Sequence, residues 1–175
     1  VTLYWDNRSE ASIDPVLGED FEGYRIFRST DPFFRDPEVV TDAFGTASTL
    51  TPLVQYDKKN GIEGIWPNIP SPDFGGAQDA ADSLAIIREL QSQVEQSQSL
   101  LQRTRGTTFY LGADTGLRYS YVDTTVTNGQ TYYYALTAYD RGSPEFFPAE
   151  NNIAISVVED GSVVTGANVV EVTPN

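Results

Sequence analysis

Histidine, cysteine and methionine are absent from the 175 residues. Without histidine the chain lacks the usual general base and the commonest metal ligand. Without cysteine it has no thiol nucleophile, no disulfide and no cysteine-ligated zinc. Basic residues are scarce: 11 Lys and Arg stand against 25 Asp and Glu, a net charge of −14. Phosphate neutralisation by Lys and Arg dominates nucleic-acid binding, so that class of partner is excluded. An anionic membrane surface is excluded for the same reason. No run of 18 apolar residues is present, so no membrane insertion is expected, and no signal peptide is visible. The expectation is a non-catalytic domain without a cofactor, not an enzyme.

What is present is enough for a core. The hydrophobic fraction is 39%, and a chain of this length buries about 70% of its unfolded surface without staples. The sequence opens at Val1 in mid-pattern, which reads as a processed product or an excised piece.

Period-2 alternation marks most of the chain as strand. Val1, Leu3 and Trp5 share one face of a first strand, Val1–Asp6. Residues 21–28 form a second strand, with Tyr24 and Ile26 on one face. Residues 33–48 read as irregular. Residues 50–56 read as a short edge strand because Pro52 cannot donate to a ladder. Residues 58–76, rich in Gly, Pro and Asn, read as a loop. Further strands are expected at 107–111, 118–126, 131–139 and 152–158, and a final extended segment at 163–172.

One stretch differs. Residues 77–105 contain neither Gly nor Pro, and Ala80, Leu84, Ile87, Leu90, Val94 and Leu101 recur at helical steps. Asp79 and Asp82 lie at its start, Arg103 and Arg105 at its end, and Gly106 just beyond, the charge order a helix dipole favours. The fold class is therefore all-β, a β-sandwich with an inserted long α-helix.

Several phrases resemble fibronectin type III domains, an immunoglobulin-like sandwich family. Val1-Thr-Leu-Tyr-Trp5-Asp6 is similar to that family's second strand with its core tryptophan. Tyr24-Arg-Ile-Phe-Arg28-Ser29 is similar to the third, and the stretch from Val126 through Asn128-Gly129 to Ala138 to the sixth. The resemblance gives Tyr132 a tyrosine-corner role, its hydroxyl bonding back to backbone near the turn. It places the family's first strand before Val1 and its last at 151–158. Asp20 to Asp31, Leu111 to Gly116 and Tyr121 to Ala135 resemble the version found in large secreted and surface proteins of Gram-negative bacteria. Some of those proteins are type IX secretion cargo, and Val169 to Asn175 resembles the linker that leads to a sorting domain. The implied organisation is a sandwich over 1–160 lacking its first strand, an insertion at 58–106, and an extended linker or strand over 161–175. The implied location is extracellular or at the cell surface.

Candidate sites follow from residue type. Asp20, Glu22, Asp31, Asp36 and Asp42 cluster around the second strand, and calcium takes six to eight oxygen ligands of this kind. Scattered acids on an acidic surface are also simply solvated. The helical stripe Leu84, Ile87, Leu90 and Val94, with loop residues Trp66, Phe146 and Phe147, offers contact area. Asn7-Arg-Ser9, Asp82-Ser83-Leu84 and Asp123-Thr124-Thr125 match short glycan-acceptor patterns. The leading functional expectation is a structural or interaction module joining other copies or other subunits of an extracellular surface layer or filament. The alternatives are a module binding glycan or protein, and an accessory domain of a secreted hydrolase.

Overall fold

A computed structural model describes residues 1–37, 39–41, 47–66, 88, 109–143 and 145–175, with backbone alone at 39–41 and 47–49. Among these residues twelve strands run in order: β1 Thr2–Tyr4, β2 Phe21–Ser29, β3 Val39–Thr41, β4 Ala47–Leu50, β5 Val54–Asp57, β6 Glu63–Trp66, β7 Phe109–Ala113, β8 Ser120–Val122, β9 Tyr132–Asp140, β10 Ile155–Val157, β11 Val163–Thr165 and β12 Val169–Val172. Among the described residues one 3₁₀ turn spans Arg8–Ala11. The described chain is all-β, and every strand pairing is antiparallel.

The centre is a four-stranded sheet in the order β12-β9-β2-β5. Its two middle strands carry nine residues each, and they pair from Phe21↔Asp140 to Ser29↔Tyr133. Alternation along β2 sends Ile26 to one face and Phe27 to the other. On the first face Ile26, Tyr132 and Tyr134 pack with Leu3 and Trp5 of the β1 segment and Tyr121 of β8. The β1–β8 pair is thus a second layer, giving the fold its sandwich-like character. On the opposite face Phe27, Tyr133 and Ala135 meet Ile155 and Val163 of the β10–β11 pair. Lower on that face Tyr139 meets Trp66 and Phe109 of the β6–β7 pair. Both faces are covered, so eight of the nine β2 residues are buried, Glu22 and Arg25 among them.

The close layers require glycine at two places. A Cβ on Gly23 would strike the Tyr56 carbonyl and the Tyr139 ring. Gly112, at φ +142°, has the Asp57 carboxyl where a Cβ would stand.

Several expectations need correcting. The segment 50–56 is two strands, because Thr51-Pro52-Leu53 breaks the ladder and Leu53 N–H instead donates to Ile26 O at 2.7 Å. Residues 33–48, expected irregular, contribute β3 and the start of β4. The loop expected over 58–76 contains β6, whose alternation is masked by a bulge between Gly64 and Ile65. Residues 58–66 are accordingly part of the body, not of a separable insertion. The strand expected at 151–158 is present but short, β10 at Ile155–Val157, and the linker or strand expected over 161–175 carries two strands, β11 and β12. Asn151 N–H still donates to Ala138 O at 3.1 Å, after which the chain leaves the sheet, forms the β10–β11 hairpin, and rejoins where Leu136 N–H donates to Asn168 O at 2.9 Å. β12 then pairs Val169↔Ala135 through Val172↔Tyr132. Asn168 clasps the junction: its Nδ2 donates to Leu136 O and Asn152 O, and its Oδ1 accepts from Ala154 N–H. The helix expected over 77–105 lies outside the described residues, except for Arg88, which is helical and exposed.

Candidate functional site

Four of the five acids expected around the second strand are described, and they do not converge. Asp20 and Glu22 lie where β2 starts, and Asp31 and Asp36 lie past its end. A nine-residue strand is about 30 Å long at 3.3 Å per residue, too far for one cation. Glu22 is fully buried, and its carboxylate accepts both bonds from Asn60 Nδ2 at 3.0 and 3.1 Å. Burial pushes its pKa above the ordinary value, with Asn60 pulling the other way. Asp31 pairs with Arg35 at 2.5 Å. Asp36 accepts from Thr30 N–H at 2.7 Å and from the Ser29 hydroxyl, closing the turn after β2. Asp42 lies outside the described residues. No group of three acids suited to a metal occurs among the described residues.

The aromatic candidates divide. Trp66 is 3% exposed, and its indole N–H donates to Ser143 O at 3.2 Å. Phe147 stands edge-on to Trp66 at 5.0 Å between ring centres and to Phe109 at 5.9 Å, closing that cluster from outside. Phe146 is the more open of the two, at 46%. Leu84, Ile87, Leu90 and Val94 lie outside the described residues. Asn7 and Ser9 are exposed, as is Thr124, whereas Asp123 is buried.

Three polar clusters escaped the sequence reading. Arg25 threads between layers, donating to Glu150 at 2.7 Å and Tyr110 O at 2.5 Å, with its guanidinium 4.1 Å from the Phe109 ring centre. Asp57 accepts from the N–H groups of Asp114 (2.6 Å) and Thr115 (3.1 Å) and from the Thr115 hydroxyl (2.5 Å). Asp123 accepts from Arg28 (2.7 Å), Tyr134 Oη (2.8 Å), and Thr125 N–H and Oγ1 (2.9 and 2.7 Å). Although burial opposes it, these donors hold the Asp123 pKa down at about 2. The buried carboxylates of Asp57 and Asp123 are saturated by fixed donors, which suits cross-linking of layers better than proton transfer to a substrate. Asp123-Thr-Thr125 carried a readable signal, since Asp commonly bonds backbone two residues on.

The feature left open is a groove of about 1230 Å³ between β1 and β12. Its floor includes Trp5, Ile26, Tyr134 and Leu136 from the face that β1–β8 covers only in part. Its upper wall is β1. Trp5 N–H donates to Tyr119 O, and Val1 O accepts from Asp123 N–H, so residues 1, 3 and 5 bond toward β8. Antiparallel alternation turns the N–H and C=O of Thr2 and Tyr4 the opposite way. β1 has no second neighbour among the described strands. The Trp5 indole N–H is buried without a partner in the same wall, a state that costs about 1–3 kcal/mol.

Comparison of the chain with family models, curated proteins and solved structures finds no match.

Proposed function

We propose that this chain is a non-catalytic structural and interaction module of an extracellular bacterial assembly such as a surface layer or filament, and that the β1 groove is its contact surface. The observation that carries this reading is the β1 edge, unpaired among the described strands, over an apolar groove, in a body where Arg25, Asp57 and Asp123 are tied down by bonds between elements. Unpaired edges are liabilities that folded proteins cover or use for association. Support for the location comes from the resemblance at residues 20–31, 111–116 and 121–135 to domains of bacterial surface proteins. One more detail of that resemblance has a counterpart: Thr127 N–H donates to Tyr132 Oη at 2.9 Å, a hydroxyl-to-backbone bond at the expected corner. The finer assignment to the fibronectin type III family belongs to the same proposal.

Immunogold labelling of intact producing cells, with an antibody raised against the chain, tests the location. Label on the outside of unbroken cells is the expected result. Label that appears only after lysis refutes it.

A further inference from the structure

We infer that Asn60-Gly61 is a self-modifying site, at which the Asn60 side chain closes onto the Gly61 nitrogen with Asp114 as base and Glu22 as acid. The step needs nothing beyond this chain and water, so it goes beyond the contact role proposed above and does not depend on it.

Asn60 lies exposed in the turn between β5 and β6, and each of its reacting atoms already has a partner. The nucleophile is the Gly61 nitrogen, whose N–H donates to Asp114 Oδ1 at 2.9 Å. The electrophile is Asn60 Cγ. Its oxygen, Oδ1, accepts from the Ile62 N–H at 2.9 Å. That bond folds the side chain over Gly61 and sets a fixed donor where negative charge develops. The leaving group is Nδ2, which stands 3.0 and 3.1 Å from the two oxygens of Glu22. Glycine at 61, at φ +78°, carries no side chain to hinder the closure.

Base and acid are held by different layers. Asp114 follows β7 in the left-handed region at φ +56°, and its own N–H donates to Asp57 Oδ2 at 2.6 Å. Its Oδ1 also takes the Asn60 N–H at 2.9 Å. Glu22 is fully buried in β2. Burial keeps its carboxyl protonated to higher pH than an ordinary glutamate. Asp57 of β5 acts in the same direction, while Asn60, Arg141 and Lys58 act against it. Tyr139 of β9, whose hydroxyl burial also keeps protonated, faces it. A protonated carboxyl beside the leaving nitrogen is what a general acid requires.

The Gly61 nitrogen attacks Cγ as its proton passes to the Asp114 carboxylate. The new N–Cγ bond forms, and Oδ1 carries the charge against the Ile62 N–H. As the carbonyl re-forms, the Cγ–Nδ2 bond breaks, Glu22 gives its proton to Nδ2, and ammonia leaves. Solvent then returns the proton from Asp114 to Glu22. Water opens the succinimide at either carbonyl, leaving an aspartyl or isoaspartyl residue at position 60. Both products turn a carboxylate toward Glu22 in place of an amide donor, so the tie between β2 and the β5–β6 turn is lost.

The chain carries its own control in Asn128-Gly129, where the glycine N–H donates to the Pro174 carbonyl at 2.8 Å, an oxygen that takes up no proton. Peptide-mapping mass spectrometry of the whole chain follows both pairs over time, from about pH 4 to about pH 9. The expected result is conversion at Asn60 about a hundredfold faster than at Asn128 at the optimum. The Asn60 profile is bell-shaped, falling on the acid side as Asp114 gains a proton and on the alkaline side as Glu22 loses one. The Asn128 rate climbs with pH, as hydroxide-driven closure does. Glu22→Gln keeps an oxygen to accept from Asn60 but removes the acid, so the rate drops about a hundredfold and the alkaline limb disappears. Asp114→Asn lowers the rate similarly and removes the acid limb. If circular dichroism shows that Asp114→Asn does not fold, Glu22→Gln and the two wild-type sites decide. Freshly purified protein already converted at position 60, with Glu22→Gln still intact there, supports the inference. Conversion at Asn60 no faster than at Asn128 overturns it, the bonds then acting as a clamp on the amide. So does an Asn60 rate that only climbs with pH, or a Glu22→Gln rate equal to wild type.

Discussion

Asp123→Asn should be among the most damaging single-atom changes available in this molecule. The carboxylate is buried and takes four donors, two on each oxygen. An amide keeps one accepting oxygen and turns two N–H groups toward the other pair of donors. Arg28 then loses its counter-charge, and Tyr134 loses the acceptor for a hydroxyl inside the core. Removing one member of a buried ion pair costs about 3–5 kcal/mol. Arg28 keeps 26% of its side chain in water, which places the expected loss near the lower end, at about 3 kcal/mol. The pH dependence follows from the same site. The Asp123 pKa falls from 3.8 in the unfolded chain to about 2 in the fold. A depressed carboxylate stabilises the fold above the unfolded value, and that contribution fades as pH drops through the folded one. At about 1.4 kcal/mol per pKa unit, roughly 2 kcal/mol disappears between pH 5 and pH 2. Urea titrations of both proteins across that range read the difference directly, with the other carboxylates cancelling between them. A variant within about 1 kcal/mol of wild type at pH 7 refutes the reasoning. So does a gap that stays constant down to pH 2.

Tyr132→Phe removes the acceptor of the Thr127 N–H and should cost about 1–3 kcal/mol in the same titration. Glu22→Gln should raise the melting temperature at pH 7 and change little at pH 4. The burial-raised pKa means the folded state favours the neutral form, so wild type loses stability as pH climbs through and above 4.5. An unchanged or lowered melting temperature at pH 7 contradicts that sign. Trp66 pairs with Phe109, so a short Gly-Ser bridge replacing residues 67–108 should leave thermal stability within a few degrees. Deleting 58–106 instead removes β6, Trp66 and Asn60 and should prevent cooperative unfolding from being seen at all. Equal melting temperatures for the two deletions would falsify the assignment of β6 to the body.

Where one face of a strand was apolar and the other polar, the elements were legible from the residues. Trp5, Ile26, Tyr132 and Tyr134 alternate as a sheet requires and form one packed face, and Tyr24 packs edge-on against Trp5. Where both faces of a strand are buried, the strand was legible but its buried polar partners were not. Glu22 and Arg25 look like solvent positions because ionisable groups in strands usually are. Here a third layer from β6–β7 covers them, and only long-range partners such as Asn60, Tyr110 and Glu150 make their burial tolerable. Those partners lie up to 125 residues away, beyond any local window. β6 was hidden by Gly64 and its bulge. The groove was invisible for another reason: an unpaired edge is a property of what is not beside a strand, and no residue of β1 encodes that.

The interrupted edge strand gives the molecule a natural socket for genetic insertion. The Asp160-Gly161 tip is exposed, and Ser162 folds back on Asp160 at 2.7 Å and 2.8 Å. Register on the sheet is held further down, at Asn151 and Asn168, by bonds that do not pass through the hairpin's turn. Sequence length between those two clamps is therefore decoupled from alignment of the sheet. An epitope or small fluorescent domain spliced at Asp160-Gly161 is carried on the far side of the central sheet from the β1 groove. That position leaves the groove face of the sheet free of the tag.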